Sequence, residues 1–214
     1  VNELLNIATR DAMLTELNLE NKFGLVTPTS CGSHSDMNYR TMIDAQDAIV
    51  PFIVNSFWTG ARSSGDDELL SLLRPDGIKA EKAMLDATCG VNAYKGLIFV
   101  AMLLVAAVGR AVATGKPIDY AYEIVKQSSR GITEELKCAD TFGGKAYRSY
   151  GITGARGQAE QGFPAVKFAE QMLEDGFSPL QVLTKTVGQT DDTVLLKRSG
   201  SAERYEYFKK LISR

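Results

Sequence analysis

The stretch "LIFVAMLLVAAV", residues 97–108, decides the fold. It is apolar on every side of a 3.6-residue repeat, which marks a helix surrounded by protein. At about 12 residues it falls short of the 20 or so that cross a bilayer, so it reads as a core helix and not as a membrane span. With its flanks the helix covers 96–114 and becomes the central element. Upstream, Met42, Ala45, Ile49, Phe52, Ile53 and Phe57 recur at three- and four-residue steps, giving a helix over 37–58 with a kink expected at Pro51. A helix over 75–88 takes Pro75 into its first turn and faces Ile78, Ala80, Met84 and Leu85 inward. Further helices are expected over 118–130, 154–175, 179–188 and 202–213. No alternating strand or hairpin pattern appears. The chain therefore reads as all-α, a single compact multi-helix domain over 1–214 with a buried central helix, truncated at one or both ends.

Bulk properties narrow the chemistry. The 214 residues carry a net charge of -2, which argues against a broad basic surface for nucleic acid. The three cysteines are far apart in sequence and odd in number, so neither a disulfide framework nor a zinc spacing is present, and a reducing cytoplasm is the simplest home. His34 is the only histidine. Any metal must then be held mainly by oxygen, which favours magnesium. Neither a membrane nor nucleic acid is expected as a partner; the sequence does not fix the oligomeric state and leaves a homo-oligomer open.

Four stretches break the helical rhythm with glycine and mixed charge: residues 21–37, 80–96, 151–164 ("GITGARGQAEQGFP") and 189–200. In an apolar bundle such stretches suggest one shared polar cavity. In the second, the helix should stop at Cys89-Gly90 with glycine at the C′ position, and Asn92 should cap the central helix, whose first turn with Lys95 would attract an anion. In the third, Thr153 can cap, Gly154 and Gly157 would let backbone approach an anion, and Glu160 lies one turn from Arg156 to orient it. The bland readings stand beside these. The glycines fit a tight helix crossing, His34-Ser35-Asp36 a plain helix cap, Glu81 a solvated position, Lys95 a surface lysine, and Asp191-Asp192 ordinary caps. Neither a P-loop nor a dinucleotide fingerprint is present.

Taken together the stretches resemble the triphosphoribosyl-dephospho-coenzyme A synthase family, over nearly the whole chain. The resemblance rests on Glu16-Leu17-Asn18-Leu19, Lys22, Gly24-Leu25-Val26 and Gly32-Ser33-His34-Ser35-Asp36-Met37; on Glu81, Met84 and Ala87-Thr88-Cys89-Gly90-Val91-Asn92-Ala93-Tyr94-Lys95-Gly96; on the run 151–164; and on Asp192-Thr193-Val194 through Arg198-Ser199-Gly200. The chain departs from the family pattern at Phe23, Thr27, Tyr94, Gln158 and Val194, where proline, aspartate, histidine, glutamate and asparagine are usual.

The resemblance implies a transferase that joins ATP to 3′-dephospho-coenzyme A. The coenzyme's ribose 2′-hydroxyl attacks C1′ of the ATP ribose, adenine leaves, and the product is the precursor of the citrate lyase or malonate decarboxylase prosthetic group. Such glycosyl transfer passes through an oxocarbenium-like transition state and needs a carboxylate base, help for the leaving adenine and a firmly held triphosphate. The resemblance assigns phosphate binding to Lys95, Arg156 and Arg198 with Lys22 nearby. It gives Asp36 and Glu81 magnesium ligation or general-base work, His34 assistance to a leaving group or phosphate, and Asn92, Glu160 and Asp192 the orienting of substrates or hydrated Mg2+. Two rivals remain open: a nucleotide N-glycohydrolase with water as acceptor, and a non-catalytic nucleotide-binding helical module.

Overall fold

The computed structural model describes residues 1–22 and 24–212; Phe23, one of the departures above, lies outside them. Among the described residues there are helices and turns and no strands, as the periodicity requires. The chain divides into two compact units, Val1–Ile124 and the residues from Val125 onward.

The first unit holds α1 (Asn2–Leu17), α2 (Tyr39–Arg62), α3 (Leu69–Ala87) and α4 (Lys95–Ala113). A 3-10 turn (Ile118–Tyr120) then leads into α5 (Ala121–Ser128). α2 and α4 form the heart of the unit, and glycine is what lets them meet. A Cβ on Gly60 would lie 1.8 Å from the carbonyl oxygen of Ala106, and one on Gly109 would lie 2.0 Å from that of Phe57. The two backbones touch, which no larger residue allows. Around this crossing α2 buries Ala45, Ile49, Ile53 and Phe57, and α4 buries Ile98, Met102, Ala106 and Ala107. The buried residues of α4 form one stripe; Leu97, Val100, Leu104 and Val108 are only half-buried. The helix is longer than its apolar run and passes, by length and composition, the test for a membrane span. The Gly60/Gly109 contact shows that one face of it packs on α2.

Several sequence expectations shift. Pro51 sits inside an unbroken 24-residue α2. Both Pro51 and Asp47, whose carbonyl loses its donor, are exposed, so water can satisfy the gap. α3 begins at Leu69, which puts Pro75 inside the helix on its exposed side and leaves Ile78 69% exposed. Its buried stripe is Leu69, Leu73, Ala80 and Met84. The expected helix over 118–130 opens as the 3-10 turn. α1 was not legible: only Met13 and Leu17 are buried in it, too few to mark a face.

The second unit contains a 3-10 turn (Ile132–Glu134), α6 (Glu135–Cys138), α7 (Phe142–Tyr150), α8 (Gly154–Glu160), α9 (Pro164–Glu174), α10 (Pro179–Gln189), α11 (Thr193–Ser199) and α12 (Ala202–Ile212). The expected single helix over 154–175 is two. Pro164 disfavours helical geometry at Phe163, which adopts φ 53° and is buried, and Gly162 beside it has φ 78°. Ala146, Ile152, Leu196 and Tyr205 form a small core that ties α7, the loop before α8, α11 and α12 together.

Candidate functional site

Each unit brings two of the four distinctive stretches together. In the first, Leu17, Val26, Met37 and Met42 form a buried cluster against which Tyr39, Val91, Ala93 and Tyr94 pack. The loop before α2 is thereby seated on the turn between α3 and α4.

That turn is built residue by residue. α3 ends with Cys89 in the left-handed region, φ 55°, and Gly90 at φ 91°. The Gly90 N–H donates to the Leu85 carbonyl at 2.7 Å, which places Cys89 at the C′ position where glycine was expected and Gly90 one residue beyond. The Thr88 hydroxyl lies 2.8 Å from the Met84 carbonyl and 2.6 Å from that of Val91. The chain reverses, and Asn92 Oδ1 accepts from the Lys95 N–H at 3.1 Å. Asn92 thus serves the first helical N–H of α4, although Tyr94 is the residue at the cap position.

The reversal carries Lys95 back to α3. Its Nζ lies 2.5 Å from Glu81 Oε1, with the side chains 58% and 31% exposed. This is a charge-assisted bond between helices, reached by folding and not by an i+4 step. Asn92, Lys95 and Glu81 are therefore one local group, open to solvent at the start of a helix.

The loop before α2 is also tightly specified. Gly32, φ 61°, has no room for a side chain, because a Cβ would lie 2.2 Å from the Gly24 carbonyl oxygen. The cap of α2 is Asn38 in a reciprocal box with Thr41, not His34-Ser35-Asp36. His34 is largely covered while the Asp36 carboxylate is 61% exposed, with Nδ1 to Oδ1 at 3.6 Å. Thr27, one of the departures, is buried and accepts from the Thr29 N–H.

Lys22 has a different task from the one expected. It is buried, and Nζ donates to the Glu16 carbonyl at 2.7 Å, the Leu17 carbonyl at 3.3 Å and Glu16 Oε1 at 3.0 Å. Its three donors close the end of α1, where a cation also complements the helix dipole. All three of its donors have acceptors at this helix end.

In the second unit Gly154 and Gly157 of 151–164 lie against the chain's own atoms, and Gly151 takes a left-handed conformation in open space. Gly151, φ 71°, ends α7 with its N–H on the Tyr147 carbonyl. A Cβ on Gly157 would fall 1.9 Å from the Thr153 hydroxyl oxygen. Gly154, φ 57°, lies against Thr193, which joins the third stretch to the fourth. Close packing accounts for Gly157 and a left-handed backbone for Gly151 and Gly154. Glu160 does not orient Arg156: its carboxylate accepts from the Gly131 N–H and the Thr133 hydroxyl, both at 2.6 Å, and holds the turn before α6. Arg156 instead approaches Glu135, Nε to Oε2 3.8 Å. Gln158 Oε1 accepts from the Ala165 N–H and so caps α9. Asp192 caps α11 through the Val194 and Leu195 N–H groups, as the plain reading had it, and its own N–H donates to the Tyr205 hydroxyl. Arg198 and Val194 are exposed.

Sequence reading missed Gln46, Glu135, Tyr205 and Lys209, the last with its Nζ 3.1 Å from Asp191 Oδ1, all of which contact the distinctive segments. Gln46 did leave a signal: it is a polar residue inside the apolar stripe of α2. Among the described residues no group of three or more His, Cys, Asp or Glu side chains is placed to bind a metal. A groove of about 550 Å³ between α1 and α2, lined by residues including Asn2, Ile7, Pro51 and Trp58, contains none of the residues expected at the site.

Comparison with known proteins gives these groupings a context. The family model for ATP:dephospho-CoA triphosphoribosyl transferase (CitG) matches residues 2–211. A Vibrio cholerae protein named "Probable 2-(5''-triphosphoribosyl)-3'-dephosphocoenzyme-A synthase" is 37% identical over 210 residues, covering 89% of this chain and 67% of that protein. The 2-(5''-triphosphoribosyl)-3'-dephosphocoenzyme-A synthase of Klebsiella pneumoniae is 36% identical over 213 residues, 91% of this chain and 70% of its own length. "Protein CitXG" of Leuconostoc mesenteroides subsp. cremoris is 38% identical over 216 residues, 91% of this chain and 46% of that protein. No solved structure matches the chain significantly. A family match running from the start of α1 into α12 spans both units and every distinctive stretch, and on that ground the chain belongs to the ATP:dephospho-CoA triphosphoribosyl transferase family.

Proposed function

We propose that this chain transfers the triphosphoribosyl group of ATP to 3′-dephospho-CoA, and that Glu81 and Lys95 are the centre of its chemistry. The observation that carries the proposal is the 2.5 Å pairing of these two residues beside Asn92 at the start of α4. In the reaction the coenzyme's 2′-oxygen forms a bond to C1′ and gives up its proton. The C1′–N9 bond breaks, and adenine departs with that electron pair and takes up a proton. A carboxylate that accepts the hydroxyl proton also offsets positive charge growing at C1′.

Glu81 suits that task once Lys95 has another anion to hold. The ammonium of Lys95 exchanges the carboxylate for a substrate phosphate, which leaves the carboxylate oxygen unpaired beside the attacking hydroxyl. Asp36, exposed beside His34, supplies a carboxylate oxygen for magnesium. With no cluster of protein ligands among the described residues, the ion would be held largely by the triphosphate, as is usual for Mg2+. When bound it neutralises phosphate charge. His34, with its Nδ1 held toward Asp36, can offer a proton to the leaving base. In the second unit Arg156 and exposed Arg198 are the cations offered to substrate phosphates. Lys22, Glu160 and Asp192 hold backbone groups in place around these segments. The product serves as precursor of an acyl-carrier prosthetic group of the citrate lyase type. A reducing compartment, the cytoplasm, is where exposed Cys31, Cys89 and Cys138 stay thiols.

The test is incubation with ATP, Mg2+ and 3′-dephospho-CoA, followed by mass spectrometry. Equimolar adenine and the triphosphoribosyl adduct support transfer. Adenine with free triphosphoribose would mean hydrolysis, and no adenine would mean a binding module.

A further inference from the structure

Tyr94 sits where four helices meet. As cap residue of α4 its carbonyl accepts the Ile98 N–H at 2.9 Å, the first bond of that helix. Its own N–H points at Met84 Sδ of α3, 3.1 Å away. Its hydroxyl accepts from Gln46 Nε2 of α2 at 2.9 Å. Gln46 is buried and also reaches the Met13 carbonyl of α1 at 3.4 Å. The ring packs on the cluster of Leu17, Val26, Met37 and Met42. Burial pushes the Tyr94 hydroxyl up to about 12; the Gln46 hydrogen bond opposes this and the Glu16 carboxylate adds to it. The group is therefore neutral at all ordinary pH.

We propose that Tyr94, held by Gln46, is a positioning residue that sets the first turn of α4 and so delivers Lys95 to Glu81. The physical argument is one of leverage. Lys95 follows Tyr94 directly, its side chain is mostly exposed, and little else restrains it besides Glu81 itself. The turn between α3 and α4 contains two residues in the left-handed region, so its exit direction is set by what anchors the far end. That anchor is the Tyr94 ring with its single hydroxyl bond to a buried amide. Removing the hydroxyl also leaves Gln46 short of a partner in a buried position, which adds a reason for the turn to shift.

The inference rests on the proposed role of Lys95 in holding ATP, and the test separates the two. Lysines are labelled by reductive ¹³C-methylation, and the Lys95 resonance is assigned by its loss in Lys95→Ala. In Tyr94→Phe and in Gln46→Leu this resonance is expected to move toward its position in Glu81→Gln, while that of Lys82, paired with Asp86 on exposed α3, stays fixed. In steady state, KM for ATP is expected to rise about threefold to tenfold, the range of one net hydrogen bond, with kcat little changed. In the Lys95→Ala background Tyr94→Phe should add nothing to KM. An unmoved Lys95 resonance in folded Tyr94→Phe, or an equal KM change without Lys95, overturns the inference. Failure of the parent to release adenine overturns the proposed function instead, and the resonance then decides the positioning by itself.

Discussion

Replacing Glu81 by glutamine separates chemistry from folding, because the structure assigns the two very different weights. The Glu81–Lys95 pair is 31% and 58% exposed, and pairs of that kind stabilise by about 0.2–1 kcal/mol. Glutamine keeps the length of the side chain and an oxygen that accepts from Lys95. The melting temperature is therefore expected to fall by no more than about 4 °C for a chain of this size. Catalysis has no such cushion. An amide cannot take the proton from the attacking hydroxyl, and loss of a positioned base costs roughly 10²- to 10⁴-fold in rate. The sign for binding is the reverse: with the competing carboxylate gone, Lys95 is freer to hold phosphate, so KM for ATP should stay constant or fall. Adenine release followed by chromatography, with a thermal melt on the same sample, reads all three quantities. Glu81→Gln turnover within about threefold of the parent would refute the assignment. A large drop in melting temperature alongside the lost activity would refute the claim that the pair is marginal to stability.

Other consequences test the fold. Gly109→Ala forces a methyl to within 2.0 Å of a backbone carbonyl and should cost at least about 3 kcal/mol, seen as a melting point lower by ~6–12 °C or as insoluble protein. Gly77→Ala, in the middle of α3 with nothing within 4 Å, should instead stabilise by about 0.5–1 kcal/mol in denaturant titration. Asp192→Ala removes the cap of α11 and should cost about 1 kcal/mol. The raised Tyr94 hydroxyl gives an alkaline signature. Between the ordinary tyrosine value near 10 and the folded value of about 12 the unfolded chain loses its proton first, so stability present below pH 10 declines up to pH 12 by about 3 kcal/mol. Tyr94→Phe should flatten that decline in melts run across this range.

The sequence alone determined that this protein is helical, that 96–114 is its main core helix, and which stretches matter. Those properties are local: a 3.6-residue apolar rhythm and a run of ten ordered residues are written in neighbouring positions. Boundaries were harder where apolar marks were sparse, as in α1, or where Pro164 and a left-handed Phe163 cut one rhythm into two helices. What only the tertiary structure decided was which partner the charged residues of the distinctive stretches keep. Glu160 was within one turn of Arg156 yet turned to Gly131 and Thr133; Lys22 looked like a free cation yet closes the end of α1. Glu81 and Lys95, 14 residues apart, met because a left-handed pair reverses the chain between them. A side chain pairs with what packing places within about 3 Å, and packing joins segments distant in sequence, so no local pattern can encode that choice.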